Sequence, residues 1–257
     1  MFYQGAPMPI MASTLYRDML NFFRNQFASI LLLALLTALI SVVLGHALSP
    51  GSEQLMTLSD GTHLGDTAEM SLQQLVQQMS VEQQRVLLKA SAAGTLAGLV
   101  GNVLLAGGLL TMIRQVSNRQ PVSVLRAIGL SAPLLPRLLL LIFLTTLLVQ
   151  LGLLLIIVPG ILLAIAFSLA PVIATSDDLG AIKSMRQSSS LAFANLRLLA
   201  PAVLFWLLAK AAVLLLATQF TLVSSLVAVV LLNGLSNLIS ALLLIYLYRL
   251  YMLLRQA

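Results

Sequence analysis

The residues 207–216, "LLAKAAVLLL", are apolar except for Lys210. An ionisable side chain inside an apolar run is costly at membrane depth, and it usually marks a proton relay, an ion contact or a paired interior position. Further along the chain, Asn233, Ser236, Asn237 and Ser240 recur at i, i+3, i+4 and i+7, a stripe down one helix face. Asn102 and Gln150 add two carboxamides inside other apolar runs. Lys210, Asn233, Ser236, Asn237, Asn102 and Gln150 therefore form the candidate polar site within the membrane. Gathered around one cavity, they could line a solute path or hold a small anion. Dispersed, they would be interhelical hydrogen-bond partners, contributing about 0.6 to 2 kcal/mol each.

Other chemistry has little to work with. The only histidines, His46 and His63, have no carboxylate or second histidine at ligand spacing, so no metal site is expected. There is no Gly-x-Ser-x-Gly elbow, no phosphate-binding glycine loop, no His-Glu-x-x-His helix and no cysteine. All eight acids lie outside the apolar runs, which removes the usual carboxylate of an ion-coupling site. The pair Asp177-Asp178 could ligate a cation, but two acids at the start of a helix are favoured in any case by the free N–H groups there. The sequence thus calls for no catalytic residue, no cofactor and no enzyme activity.

The elements that must position these side chains are membrane spans. Of 257 residues, 60% are hydrophobic and 9% charged, which is outside the range of soluble domains. About 20 apolar residues cross about 30 Å of hydrocarbon. Six runs qualify or nearly so: residues 28–48, 91–113, 138–157, 160–175, 198–218 and 222–248. The expected fold is all-α, a polytopic membrane protein with six transmembrane helices. The first run resembles a secretory signal, but Pro50 follows the small residues of the candidate cleavage site and five more runs come after, so it reads as an uncleaved span. Pro159-Gly160 predicts a tight turn between spans three and four. The fourth run is short enough that a re-entrant hairpin competes with a full span.

Basic residues sit in alternate gaps between the runs. Arg17, Arg24, Arg114, Arg119, Arg126, Arg137, Lys183, Arg186, Arg197, Arg249 and Arg255 all fall on one side. By the positive-inside rule that side, with both termini, is cytoplasmic. The net charge of +6 therefore encodes topology rather than nucleic-acid binding. The other side receives residues 49–90, a glutamine-rich segment read as a small periplasmic helical cap. Ser71 with Gln74 and Ser80 with Gln83 each form a capping box, so two helices should begin there, the second running into span two.

Three stretches, beginning at Thr14, Ser123 and Ala181, pair an amphipathic basic segment with an odd-numbered span. They suggest three repeats of an interfacial helix plus two spans, the helices lying among lipid headgroups. In the first, Leu15, Met19, Phe22, Phe23 and Phe27 recur at helical spacing. Gly94, Gly98 and Gly101 share a face of span two and predict a close helix contact, within the protein or in a homodimer. Lys210 lies 13 residues beyond Arg197, about 20 Å along the helix, too deep for simple snorkelling. A hairpin turning near residue 220 would set Lys210 level with Leu231, leaning toward Asn233, with which a direct or one-water contact is expected.

The strings "YRDMLNFFRNQFASILL", "LVGNVLLAGG", "VLRAIGLSAPLLPRLLLLIFLTTLLVQ", "VPGILLAIAFSLAPV" and "LLNGLSNLISALLLIYLYRLYMLLRQ" resemble the YciC family of enterobacterial inner-membrane proteins. The resemblance runs from about Met8 onward, with "MFYQGAP" preceding the position at which family members begin, so that Met8 is a candidate initiator. It implies six spans in the cell inner membrane of a Gram-negative bacterium, and it brings no catalytic or binding residues. A fainter likeness links "VPGI", the following "AP" and "DDLGAIKSM" to membrane domains attached to some glycerophosphodiester phosphodiesterases, whose soluble catalytic barrel is absent here. The functional expectation is a multi-pass protein supporting envelope maintenance through membrane lipids, an inner-membrane protein partner or a homodimer. The alternative is a small transporter or channel around Lys210.

Overall fold

The computed structural model describes residues 11–59, 79–121, 123–219 and 226–256. Among them the chain is all helix, with no strand. Six helical segments are long and apolar enough to cross a membrane. The chain divides into two compact units, one of Met1–Leu39 with Gly101–Ala257, the other Ile40–Val100.

In the larger unit, α1 (Ala12–Asn25) ends at Gln26, whose N–H bonds back to Phe22 O before the chain enters α2 (Phe27–Leu48). α1 turns Leu15 and Phe22 into the core. Tyr16 stacks on Tyr246 with ring centroids 5.0 Å apart. The helix is therefore amphipathic as expected, but part of its apolar face packs on protein, and Leu20 and Phe27 remain exposed.

Two other short helices precede odd-numbered spans: α5 (Val124–Ser131) before α6 (Leu135–Leu155), and α9 (Ala181–Ala194) before α10 (Leu196–Gln219). Each buries a face of small and apolar residues and leaves cations beside apolar side chains outside. Arg126 lies between exposed Leu125 and Leu130, and Lys183 and Arg186 lie near exposed Ile182 and Phe193.

The hairpin between spans three and four turns earlier than expected. The break is at Ile156, whose backbone is extended, and α7 (Ile157–Phe167) begins before Pro159. Proline is tolerated there because a first-turn N–H has no intrahelical acceptor, so it does not force the turn. Gly152 and Gly160 instead allow α6 and α7 to touch: a Cβ on Gly160 would stand 2.5 Å from Leu153 N. The turn at Ser168-Leu169 leads into α8 (Ala170–Ser176), with Pro171 in its first turn. Together α7 and α8 form a span of 20 residues, Ile157–Ser176, long enough to cross rather than the 16 of the sequence reading. The last span, α11 (Leu226–Gln256), continues well past residue 248.

Leu15, Ile30, Leu109, Ile173 and Leu250, from five helices, share one buried cluster. It includes the second half of α4 (Val81–Ser117), where Gly107 and Gly108 are the tight positions. A Cβ there would meet Ser131 Oγ at 3.1 Å and Leu33 Cδ1 at 3.0 Å respectively.

The smaller unit contains the end of α2, the start of α4 and the short α3 (Ser52–Ser59), which no sequence signal predicted. The second capping box forms: Ser80 N–H donates to Gln83 Oε1 at 2.9 Å and Gln83 N–H to Ser80 Oγ at 3.2 Å. The first, at Ser71 and Gln74, lies outside the described residues, as does His63. A Cβ on Gly45 would touch Ala97 at 3.5 Å, whereas nothing described lies within 4 Å of one on Gly94 or Gly98. Among the described residues no neighbour fills the face at Gly94 and Gly98, because α4 presents Ala97 to α2, whereas Gly101, the third glycine of the expected seam, is buried.

Candidate functional site

α10 and α11 pack antiparallel, and their polar contacts fix the register. Lys210 Nζ donates to Ser236 Oγ at 2.6 Å. One turn away, Trp206 Nε1–H donates to Ser240 Oγ at 3.4 Å, and Ser240 Oγ–H donates to Ser236 O at 3.2 Å. Further along, Tyr246 O–H donates to Leu198 O at 2.9 Å. The first two interhelical pairs are centred on residue 223, about three positions beyond the turn assumed from sequence. That offset explains why Lys210 meets Ser236 and not Asn233. Asn233 is exposed and its Nδ2 donates to Val229 O of its own helix at 2.9 Å.

Lys210 Nζ also stands 5.7 Å from the centre of the Trp206 ring. Residues 206 and 210 lie four apart on α10, so indole and amine share a face by helical geometry alone. Trp206 was missed as a site residue, although its spacing from Lys210 was a usable signal.

Asn237 is buried and points the other way, into α2. Its Nδ2 donates to Thr37 Oγ1 at 3.0 Å and Ala34 O at 3.2 Å. Thr37 in turn donates to Leu33 O at 2.8 Å. The close approach of α11 to α2 is set at Gly234, where a Cβ would stand 2.7 Å from Leu35 Cδ2. One stripe of four polar residues is therefore divided between two neighbours, Ser236 and Ser240 on α10 and Asn237 on α2. Successive residues are separated by about 100° around a helix, so a stripe one turn wide can serve two partners.

Asn102 and Gln150 are exposed and join neither group. None of the six candidate residues lines the pocket of about 390 Å³ between α1 and α11. These contacts join three helices, and the six candidate residues are not gathered at one point.

The acidic pair behaves differently from its sequence reading. α9 has Gly180 at its N-cap and no side-chain cap bond, so the acids do not cap it. They end α8 instead, Asp178 taking a positive φ of 53°. Asp178 Oδ1 accepts from Arg137 Nη2 at 2.9 Å, and Asp177 Oδ1 lies 3.2 Å from Arg255 Nη1. Tyr251 O–H donates to the other Asp177 oxygen. Two neighbouring carboxylates thus tie α8 to α6 and to the end of α11. No group of three histidine, cysteine or acidic side chains with metal-holding geometry occurs among the described residues.

The family model described as "Uncharacterised protein family (UPF0259)" matches residues 8–253. The chain belongs to this family. The "UPF0259 membrane protein" of Serratia proteamaculans (strain 568) is 60% identical over 250 residues, covering 96% of this chain and all of the relative. The corresponding protein of Pectobacterium carotovorum subsp. carotovorum (strain PC1) is 58% identical over 249 residues, with 96% and 100% covered. That of Yersinia pestis (strain Pestoides F) is 54% identical over 249 residues, with 96% and 97% covered. The resemblance to the YciC family fits this membership. No solved structure matches the chain. The protein is accordingly a multi-helix membrane protein of the UPF0259 family.

Proposed function

We propose that this is a multi-pass protein of the cell inner membrane, with both termini in the cytoplasm and no catalytic site. It supports the envelope through contacts with lipids, an inner-membrane protein partner or a second copy of itself. The observation that carries this reading is the fate of the deepest polar groups. Lys210, Asn237 and Trp206 each donate to a neighbouring helix, so they rigidify the protein instead of lining a route through it. The outward faces of α5 and α9 support the lipid side, because exposed leucine, isoleucine and phenylalanine beside arginine and lysine suit the boundary between acyl chains and phosphates. The concentration of basic residues on the side of α5, α9 and both termini supports the orientation. Residues 49–90, with five acids against two basic residues, then face the periplasm and are acidic enough to meet another protein.

The test is affinity purification of the intact protein in native lipid, with identification of what stays bound. A stoichiometric protein or a defined lipid is the expected result. A bound small anion and no protein or lipid partner would overturn the reading in favour of the second one, a small transporter. That second reading draws on Lys210, whose amino group has no carboxylate partner among the described residues.

A further inference from the structure

The pocket between α1 and α11 lies at the start of one span and the end of another. Asp18, Asn21 and Asn25 line it from α1 at i, i+3 and i+7, Gln26 closes it just before the apolar run begins, and Arg249 faces them from α11. Phe22 also lines it, with the Arg249 guanidinium 5.7 Å from the ring centre. Gln26 directly precedes the apolar span Phe27–Leu48 and Arg249 is the first charged residue along α11, so the pocket belongs near the level where hydrocarbon gives way to headgroups.

Among the described residues its charges are left unpaired, since neither Asp18 nor Arg249 belongs to an ion pair. Arg249 Nε is buried and has no hydrogen-bond acceptor. Such a buried donor is costly unless something accepts from it. The contrast with Asp177 and Asp178 is direct, since those acids are matched by Arg255 and Arg137. Among the described residues, a guanidinium whose buried Nε has no acceptor, a carboxylate outside any ion pair and three carboxamides around about 390 Å³ fit a ligand carrying both charges.

We infer that this pocket binds the headgroup of an aminophospholipid, with the phosphate on Arg249, the primary ammonium on Asp18, and Asn21, Asn25 and Gln26 taking the remaining oxygens and N–H groups. The inference deepens the lipid side of the proposed function and rests on it.

The experiment is native mass spectrometry of the full-length protein released from nanodiscs of equimolar phosphatidylethanolamine, phosphatidylcholine and phosphatidylglycerol. The wild type should retain phosphatidylethanolamine preferentially. D18N should lower that preference about tenfold, the worth of one charge-assisted hydrogen bond, and R249Q should lower retention of all three lipids. Should R249Q misfold, N25W fills the pocket from an exposed position and should have the same effect. No headgroup preference in the wild type, or a preference unchanged in D18N and N25W, would overturn the inference. Displacement by soluble O-phosphoethanolamine at matching affinity would overturn the lipid assignment. A protein partner recovered from native membranes, together with no headgroup preference, would sink this inference while leaving the proposed function standing.

Discussion

Lys210 Nζ and Ser236 Oγ, 26 residues apart in the chain, meet at 2.6 Å and hold α10 against α11. Removing the two partners should not cost the same. S236A leaves a half-buried donor without its acceptor and should destabilise the protein by about 1–2 kcal/mol. K210M removes the donor together with its need for a partner and keeps the length of the side chain, so it should cost less than about 1 kcal/mol. Unfolding titrations in one detergent, with the helical signal followed by circular dichroism, would compare them. A larger loss for K210M than for S236A would contradict the pin.

Asn237 should be the more sensitive position on the same helix. It is buried and donates to two groups of α2. N237A should therefore destabilise by about 1–2 kcal/mol, and T37V, which removes one of its two acceptors, by less. N233A should be near neutral, since among the described residues Asn233 bonds within its own helix. Equal effects of N233A and N237A in the same titration would argue that the stripe acts as one unit.

Glycines separate a packed hairpin from an open face. G160A places a methyl against the backbone of Leu153, which cannot swing aside, so it should lower stability by about 1–3 kcal/mol or reduce the folded yield. G94A and G98A meet nothing described within 4 Å and should be neutral, or stabilising by up to about 1 kcal/mol through helix propensity. Thermal melts of the three variants decide the point. A marked loss at Gly94 or Gly98 would show that this face is covered by a partner.

Much of the architecture was legible in sequence because membrane spans declare themselves by composition over about 20 residues. The six spans, the short helices before the odd-numbered ones and the capping box at Ser80 all followed from local pattern. What failed depended on register and depth. Pro159-Gly160 has the composition of a turn, yet the turn is at Ile156, since proline fits the first turn of a helix as readily as the loop before it. Asp177-Asp178 has the composition of a helix start, yet its partners are cations from α6 and α11, remote in sequence. Within the candidate site, the stripe was visible but its division between two neighbours was not. Asp18 and Arg249 gave no motif at all, because their relation exists only once α1 is laid along α11.

The acidic pair should respond unequally to neutralisation. Asp178 is largely exposed, with 75% of its side chain accessible, and its bridge to Arg137 should contribute no more than about 1 kcal/mol. Asp177 is 18% exposed and serves both Arg255 and Tyr251, so D177N should cost more than D178N. Added salt should narrow the effect of D178N more than that of D177N, because exposed charges are screened and buried ones much less. Melting temperatures at low and high salt provide the readout, and equal responses would contradict the assignment.

The chain contains no cysteine, so single-cysteine variants report one position each. The most direct test of the central claim, that the deep polar groups join helices and do not line a path, is labelling of Ser236→Cys and Asn237→Cys in sealed membranes by a membrane-impermeant maleimide from each side. The interhelical bonds predict that neither position reacts, while Arg119→Cys, in the loop before α5, reacts from one side. Rapid labelling of both deep positions would reveal a water-filled route past Lys210 and contradict the account.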